Sequence, residues 1–217
     1  MDTNKIQTAI LLIRNPLDML PSYFKFLYRH EFGNGVAAEV PIDKWVAWRN
    51  EHYMEQLEKW VEHTKWWMDN YSGRIMILPF EKLTDPDEGW IVLKNIGIFL
   101  SQVDTPEGTV TKNLVPEADL PCLWDLMIGQ TVPPDSILGK VMADNAGKKL
   151  SKNQRRAALK NANPPYPFTI DQMDEMMKVL KNVKKTYNQV PQIHDAMAQY
   201  IRAITVAKKK VEKLLSQ

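Results

Sequence analysis

An uninterrupted aliphatic run that ends in arginine and proline constrains the fold of this 217-residue chain most strongly. Residues 8–13 read Thr-Ala-Ile-Leu-Leu-Ile, a pattern that predicts a β-strand buried on both faces of a sheet. Arg14 follows directly, and Pro16 suits the first turn of a helix predicted from Leu17 to about Arg29. The chain therefore places a cation at the carboxyl end of a strand, where the next helix begins.

A junction of this kind is where open α/β sheets bind their ligands. A helix N-terminus attracts phosphate through its free N–H groups and its dipole, and Arg14 can add a charge-assisted contact. Ser22 lies eight residues after Arg14 and can donate a hydroxyl. We expect Arg14 and Ser22 to form an anion site, with Asp18 capping or packing. The alternative is that Arg14 caps another helix or pairs with a carboxylate.

The rest of the chain is predicted to be mostly helical, with a second strand at Arg74–Leu78. Aromatic and apolar side chains recur at helical spacing from residue 42 to about 69, and we expect the tryptophans among them to lie in the core. Further helices are predicted over residues 87–100, 120–128, 170–183 and 191–215. The predicted fold class is α/β, with a small parallel sheet and many helices.

Several motifs in a fixed order resemble those of one family. Arg14-Asn15-Pro16-x-Asp18, with Ser22 eight positions after the arginine, resembles the 3′-phosphate-binding motif of P-loop-like sulfotransferases. Four weaker motifs follow in the same order as in that family: Trp60-x-x-His63-x-x-x-Trp67, the strand ending in Phe80-Glu81-Lys82-Leu83, the helix end Ile96–Leu100, and Pro167-Phe168-Thr169. The resemblance runs from Thr8 to about Lys181 and is strongest to carbohydrate and WSC-domain-type sulfotransferases.

The resemblance implies a function and a set of ligands. Its members transfer a sulfuryl group from 3′-phosphoadenosine 5′-phosphosulfate to a hydroxyl or amine, and the acceptor expected here is a carbohydrate. It assigns Arg14 and Ser22 to the 3′-phosphate, and Phe80, in place of the usual tyrosine, to the adenine side of the site. It implies a nucleotide donor and a glycan acceptor as partners, and no metal. This resemblance favours a transferase, and whether this chain alone is an enzyme is left open.

Parts of the family pattern have no counterpart in this sequence. Only seven residues precede Thr8, so the N-terminal loop that holds the 5′-phosphosulfate and the upstream catalytic base are missing, and no catalytic residue is assigned. We therefore expect a partial fold lacking that N-terminal unit and no transfer by this chain alone. A truncated enzyme, a non-catalytic nucleotide- or glycan-binding module, and a structural module derived from the fold all stay open.

Without the neighbouring strand of that unit, the strand at residues 8–13 should expose one side, with Ile10 to Ile13 as the residues to inspect, or lie in a sheet of very few strands. Such edges and apolar patches favour self-association. The domain division expected is a partial sulfotransferase-like domain at 1–183 and a C-terminal helical extension at 184–217.

Composition narrows the partners further. The single Cys122 excludes an intrachain disulfide and a cysteine-based zinc site, and the four histidines lack metal-ligand spacing. The net charge is only +2, and we expect neither nucleic acid as a partner nor a membrane span in this chain. The compartment is left open: the Golgi lumen if an anchor lies on upstream sequence, otherwise the cytoplasm.

Overall fold

A computed structural model describes residues 7–32, 40–85, 87–101, 115–128 and 168–216. Within them the chain forms two strands, a series of helices and a short 3-10 turn at Glu117–Asp119. The elements in chain order are β1 (Thr8–Ile13), α1 (Pro16–Phe32), α2 (Ile42–Asn70), β2 (Arg74–Pro79), α3 (Phe80–Leu83), α4 (Gly89–Ser101), α5 (Leu120–Met127), α6 (Ile170–Thr186) and α7 (Pro191–Leu215). The predicted elements are confirmed, with ends that differ by a few residues.

The two strands pair in parallel as a two-stranded sheet, which confirms the predicted α/β class with a small parallel sheet. In β1, Leu11 and Ile13 are buried, whereas Ile10 is 37% and Leu12 48% exposed. The prediction that β1 is buried on both faces is therefore wrong, because packing covers only the side that carries Leu11 and Ile13. The expectation of a sheet of few strands with one exposed side is confirmed for the part of the chain that the structure describes.

The chain divides into two compact units. One comprises Met1–Ile10, Gly73–Met76 and Phe80–Pro165, and is called unit 1; the other comprises Leu11–Ser72, Ile77–Pro79 and Tyr166–Gln217, and is called unit 2. The predicted division into residues 1–183 and 184–217 stays a prediction.

In unit 2, the long helix α2 turns one face inward. Its buried residues recur every three or four positions, as a helix packed along one stripe requires: Trp45, Arg49, Tyr53, Leu57, Trp60 and Thr64. The predicted core role of the tryptophans is confirmed for Trp45 and Trp60, whereas Trp66 is 44% exposed.

The helices α6 and α7 form an antiparallel hairpin in unit 2. The turn at residues 187–190 reverses the chain, and the Lys208 Nζ atom meets the Asp174 carboxylate at 2.6 Å near the other end. Both helices bury side chains at alternating spacings of three and four, the pattern of a coiled-coil seam. These residues are Met173, Met176, Leu180, Val183 and Tyr187 on the first arm, and Ile193, Met197, Tyr200 and Ile204 on the second.

The start of α6 is fixed by a capping box and by aromatic packing. The Thr169 hydroxyl accepts from the Gln172 N–H at 3.2 Å, and the Gln172 Oε1 atom accepts from the Thr169 N–H at 3.0 Å. Phe168 packs edge-on against Trp45 and Tyr53 of α2, with ring centroids 5.4 and 6.1 Å apart. Phe168 thus attaches the hairpin to α2.

Unit 1 holds the short helices that follow β2. The Trp124 Nε1 atom of α5 donates to the Leu83 carbonyl at 2.7 Å, and Gly89 at the start of α4 leaves room for this indole ring. A cavity of about 510 Å³ lies between α4 and α5, lined mainly by apolar side chains such as Leu93 and Leu123. Among the described residues, no helix is long and apolar enough to cross a membrane.

Candidate functional site

The junction between β1 and α1 is built around a buried asparagine. Asn15 is 2% exposed, and its Oδ1 atom accepts from the Leu17 N–H at 3.1 Å, as an N-cap residue does. The Asn15 carbonyl accepts from the N–H groups of Asp18 at 3.0 Å and Met19 at 2.8 Å. Pro16 occupies the first helical position, where its missing N–H is not needed.

These contacts change the expected mode of anion binding. Pro16 has no N–H, and the N–H groups of Leu17, Asp18 and Met19 all donate to Asn15. The assumption that the start of α1 offers free N–H groups is therefore wrong, because Asn15 occupies them. The helix dipole still favours negative charge here, so the predicted anion contact has to come from side chains.

Two aromatic side chains, one from α2 and one from α7, donate hydrogen bonds to the backbone at the end of β1. The Trp60 Nε1 atom of α2 donates to the Arg14 carbonyl at 3.1 Å, and the Tyr200 hydroxyl of α7 donates to the Ile13 carbonyl at 3.2 Å. Trp60 is the first tryptophan of the Trp60-x-x-His63-x-x-x-Trp67 motif, so that motif reaches the junction. Tyr200 was missed by sequence reasoning, because a core position in α7 carries no sign of its hydrogen-bond partner.

Arg14 and Ser22 both belong to unit 2. Arg14 is half-buried immediately after β1, and Ser22 is exposed on α1, one turn beyond Asp18 on the same face. Phe80 belongs to unit 1, where it begins α3 directly after β2 and is half-buried. The roles of Arg14, Ser22 and Phe80 in nucleotide binding stay predictions.

His63 makes a local contact on α2. The Trp67 Nε1 atom donates to the His63 Nε2 atom at 3.2 Å, and the Trp67 ring meets the Tyr71 ring edge-on at 5.3 Å. His63 therefore helps to order the end of α2 in this structure.

The described residues contain no group of three or more His, Cys, Asp and Glu side chains placed to hold a metal ion. The junction offers a guanidinium and a helix dipole, two features that suit an oxyanion such as phosphate.

Comparison with known proteins agrees with the resemblance drawn from the motifs. A family model described as "Sulfotransferase domain" matches residues 4–100, which span β1 through nearly all of α4. Searches of the curated proteins and of the solved structures each found no match.

Proposed function

Because residues 4–100 match the sulfotransferase domain family, we propose that this protein binds 3′-phosphoadenosine 5′-phosphosulfate, or its product 3′,5′-adenosine bisphosphate, through Arg14 and Ser22. A sulfotransferase-like function in general is supported by the family match itself. The observation that carries the finer proposal is the position of Arg14, which follows the end of β1 and precedes a capped helix N-terminus.

Each part of the junction has a chemical role in the proposal. The Arg14 guanidinium can donate two parallel hydrogen bonds to the 3′-phosphate, and the Ser22 hydroxyl can donate a third. The dipole of α1 adds favourable potential without contributing N–H donors. The sulfuryl acceptor in this proposal is a carbohydrate hydroxyl or amine.

Calorimetric titration with 3′,5′-adenosine bisphosphate tests the binding step. Losing a hydrogen bond to a charged group costs about 1.5–3 kcal/mol, so Arg14→Ala should bind roughly 10- to 150-fold more weakly than the wild type. Arg14→Lys should fall between them, because an ammonium cannot make the bidentate contact. The matched control is Arg202→Ala, which removes an exposed arginine of α7. Equal affinity of the wild type and Arg14→Ala would remove the proposal.

A sulfate-transfer assay tests whether the protein, once it has bound the nucleotide, also catalyses transfer of the sulfuryl group. Radiolabelled donor is incubated with a panel of glycans, with Arg14→Ala as the negative control. Turnover that Arg14→Ala abolishes identifies a transferase. Nucleotide binding without turnover shows that this chain binds the nucleotide but does not catalyse transfer to these acceptors by itself.

A further inference from the structure

We propose that Tyr200 is a positioning residue for Arg14, so that the α6–α7 hairpin forms a working part of the anion site although it lies outside the family match at residues 4–100. This inference rests on the proposed function. The observation behind it is that the Tyr200 hydroxyl and the Trp60 indole hold two consecutive backbone carbonyls, those of Ile13 and Arg14.

Holding these two carbonyls fixes the direction of the Arg14 side chain. The peptide bond is planar, so each carbonyl direction sets the orientation of one whole peptide plane. The Ile13 carbonyl belongs to the plane that enters the Arg14 Cα atom, and the Arg14 carbonyl belongs to the plane that leaves it. The φ and ψ angles of Arg14 relate these planes. Two fixed planes therefore fix both angles and the Cα–Cβ direction.

The two donors are themselves held rigidly. Tyr200 is 1% exposed and lies in the hairpin seam between Met197 and Ile204, which are fully buried. Trp60 is 9% exposed on the inner face of α2. A buried ring in a packed helix has little rotamer freedom left to lose. The hydroxyl and the indole N–H are therefore preorganised to constrain the end of β1.

Asn15 extends the same constraint into α1. Its side chain and carbonyl engage the first three available N–H groups of the helix. The backbone is thus held continuously from Ile13 to Met19. Misplacement of a binding group by a small distance weakens its contacts, which is why positioning groups matter for a charge-assisted pair.

The test uses Tyr200→Phe, which keeps the buried ring and removes only the hydroxyl. Its matched control is Tyr53→Phe, because the Tyr53 hydroxyl likewise donates to a backbone carbonyl in unit 2, that of Gln172, at 2.6 Å. We expect Tyr200→Phe to weaken binding of 3′,5′-adenosine bisphosphate by about threefold to tenfold, the range of one hydrogen bond. Tyr53→Phe should bind as the wild type does.

A double variant shows whether the effect passes through Arg14. In an Arg14→Ala background, adding Tyr200→Phe should not change the affinity further, whereas a general loss of structure would lower it again. Hydrogen exchange provides a readout without nucleotide: amides of residues 13–19 should exchange faster in Tyr200→Phe than in Tyr53→Phe.

The outcomes separate the two proposals. If Arg14→Ala weakens nucleotide binding and Tyr200→Phe leaves it unchanged, the positioning role of Tyr200 is overturned. The proposed function then still stands. If the wild type binds no nucleotide, the proposed function fails, and exchange over residues 13–19 then decides whether Tyr200 orders this segment. Unchanged exchange overturns the inference in either case.

Discussion

Replacing Phe168 with alanine tests how the hairpin is attached to the rest of unit 2. Phe168 is 5% exposed and packs on Trp45, which is fully buried, and on Tyr53, which is 4% exposed. Removing a buried phenylalanine ring costs about 3–5 kcal/mol. Its surroundings are large aromatic rings that cannot collapse readily into the vacated space, so we expect the upper part of that range. Against a total stability of about 5–15 kcal/mol, this loss is large.

Guanidinium denaturation followed by tryptophan fluorescence measures the effect. Phe168→Leu keeps most of the apolar volume and should cost less than about 1.5 kcal/mol. Phe26→Ala is the matched control, because Phe26 is 64% exposed on α1 and its loss should change the free energy of unfolding by less than about 0.5 kcal/mol. If Phe168→Ala is no more destabilising than Phe26→Ala, the packing argument is refuted.

Two further predictions concern other parts of the chain. Gly89→Ala should destabilise unit 1 by about 1–3 kcal/mol, because the added Cβ atom would lie 2.5 Å from the Leu83 carbonyl oxygen and overlap the Trp124 indole. Thermal melting measures this effect, and an unchanged melting temperature would contradict the prediction. Burial, together with the hydrogen bond to Asp69, raises the pKa of Tyr187 to about 12. The contribution of the protonated Tyr187 hydroxyl to the free energy of unfolding is therefore complete below about pH 10 and is lost as the pH rises from 10 towards 12. The free energy of unfolding of Tyr187→Phe should therefore fall less steeply over that range than that of the wild type.

The ends of a strand or helix could be predicted from the sequence where residues typical of such ends lie beside it. The strand β1 occupies residues 8–13 as expected, since an arginine and a proline follow its aliphatic run directly. The helix α7 begins at Pro191, a residue suited to a first helical turn, and its three-four spacing of apolar residues continues through the predicted length. The Thr169–Gln172 spacing is also a capping-box signature, readable from sequence but missed here.

The parts that could not be predicted depend on contacts between distant residues. The exposed side of β1 follows from which helices cover the sheet, and an aliphatic run alone does not show this. Arg14 and Ser22 could be selected from their spacing, but the use of the Leu17 N–H by the Asn15 side chain could not. Tyr200 reads as one more core residue, because nothing local in α7 indicates a partner in β1.

The hydrogen bond from Tyr200 to Ile13 spans 187 residues of sequence, which has a consequence for when the proposed anion site forms. During synthesis Ile13 is made 187 residues before the tyrosine that holds its carbonyl. The α6–α7 hairpin consists of contacts between nearby residues and can form rapidly, whereas closing so long a loop onto the strand is slow. The proposed site is therefore completed late in folding, and a nascent chain stopped before residue 200 contains Arg14 without the proposed restraint from Tyr200.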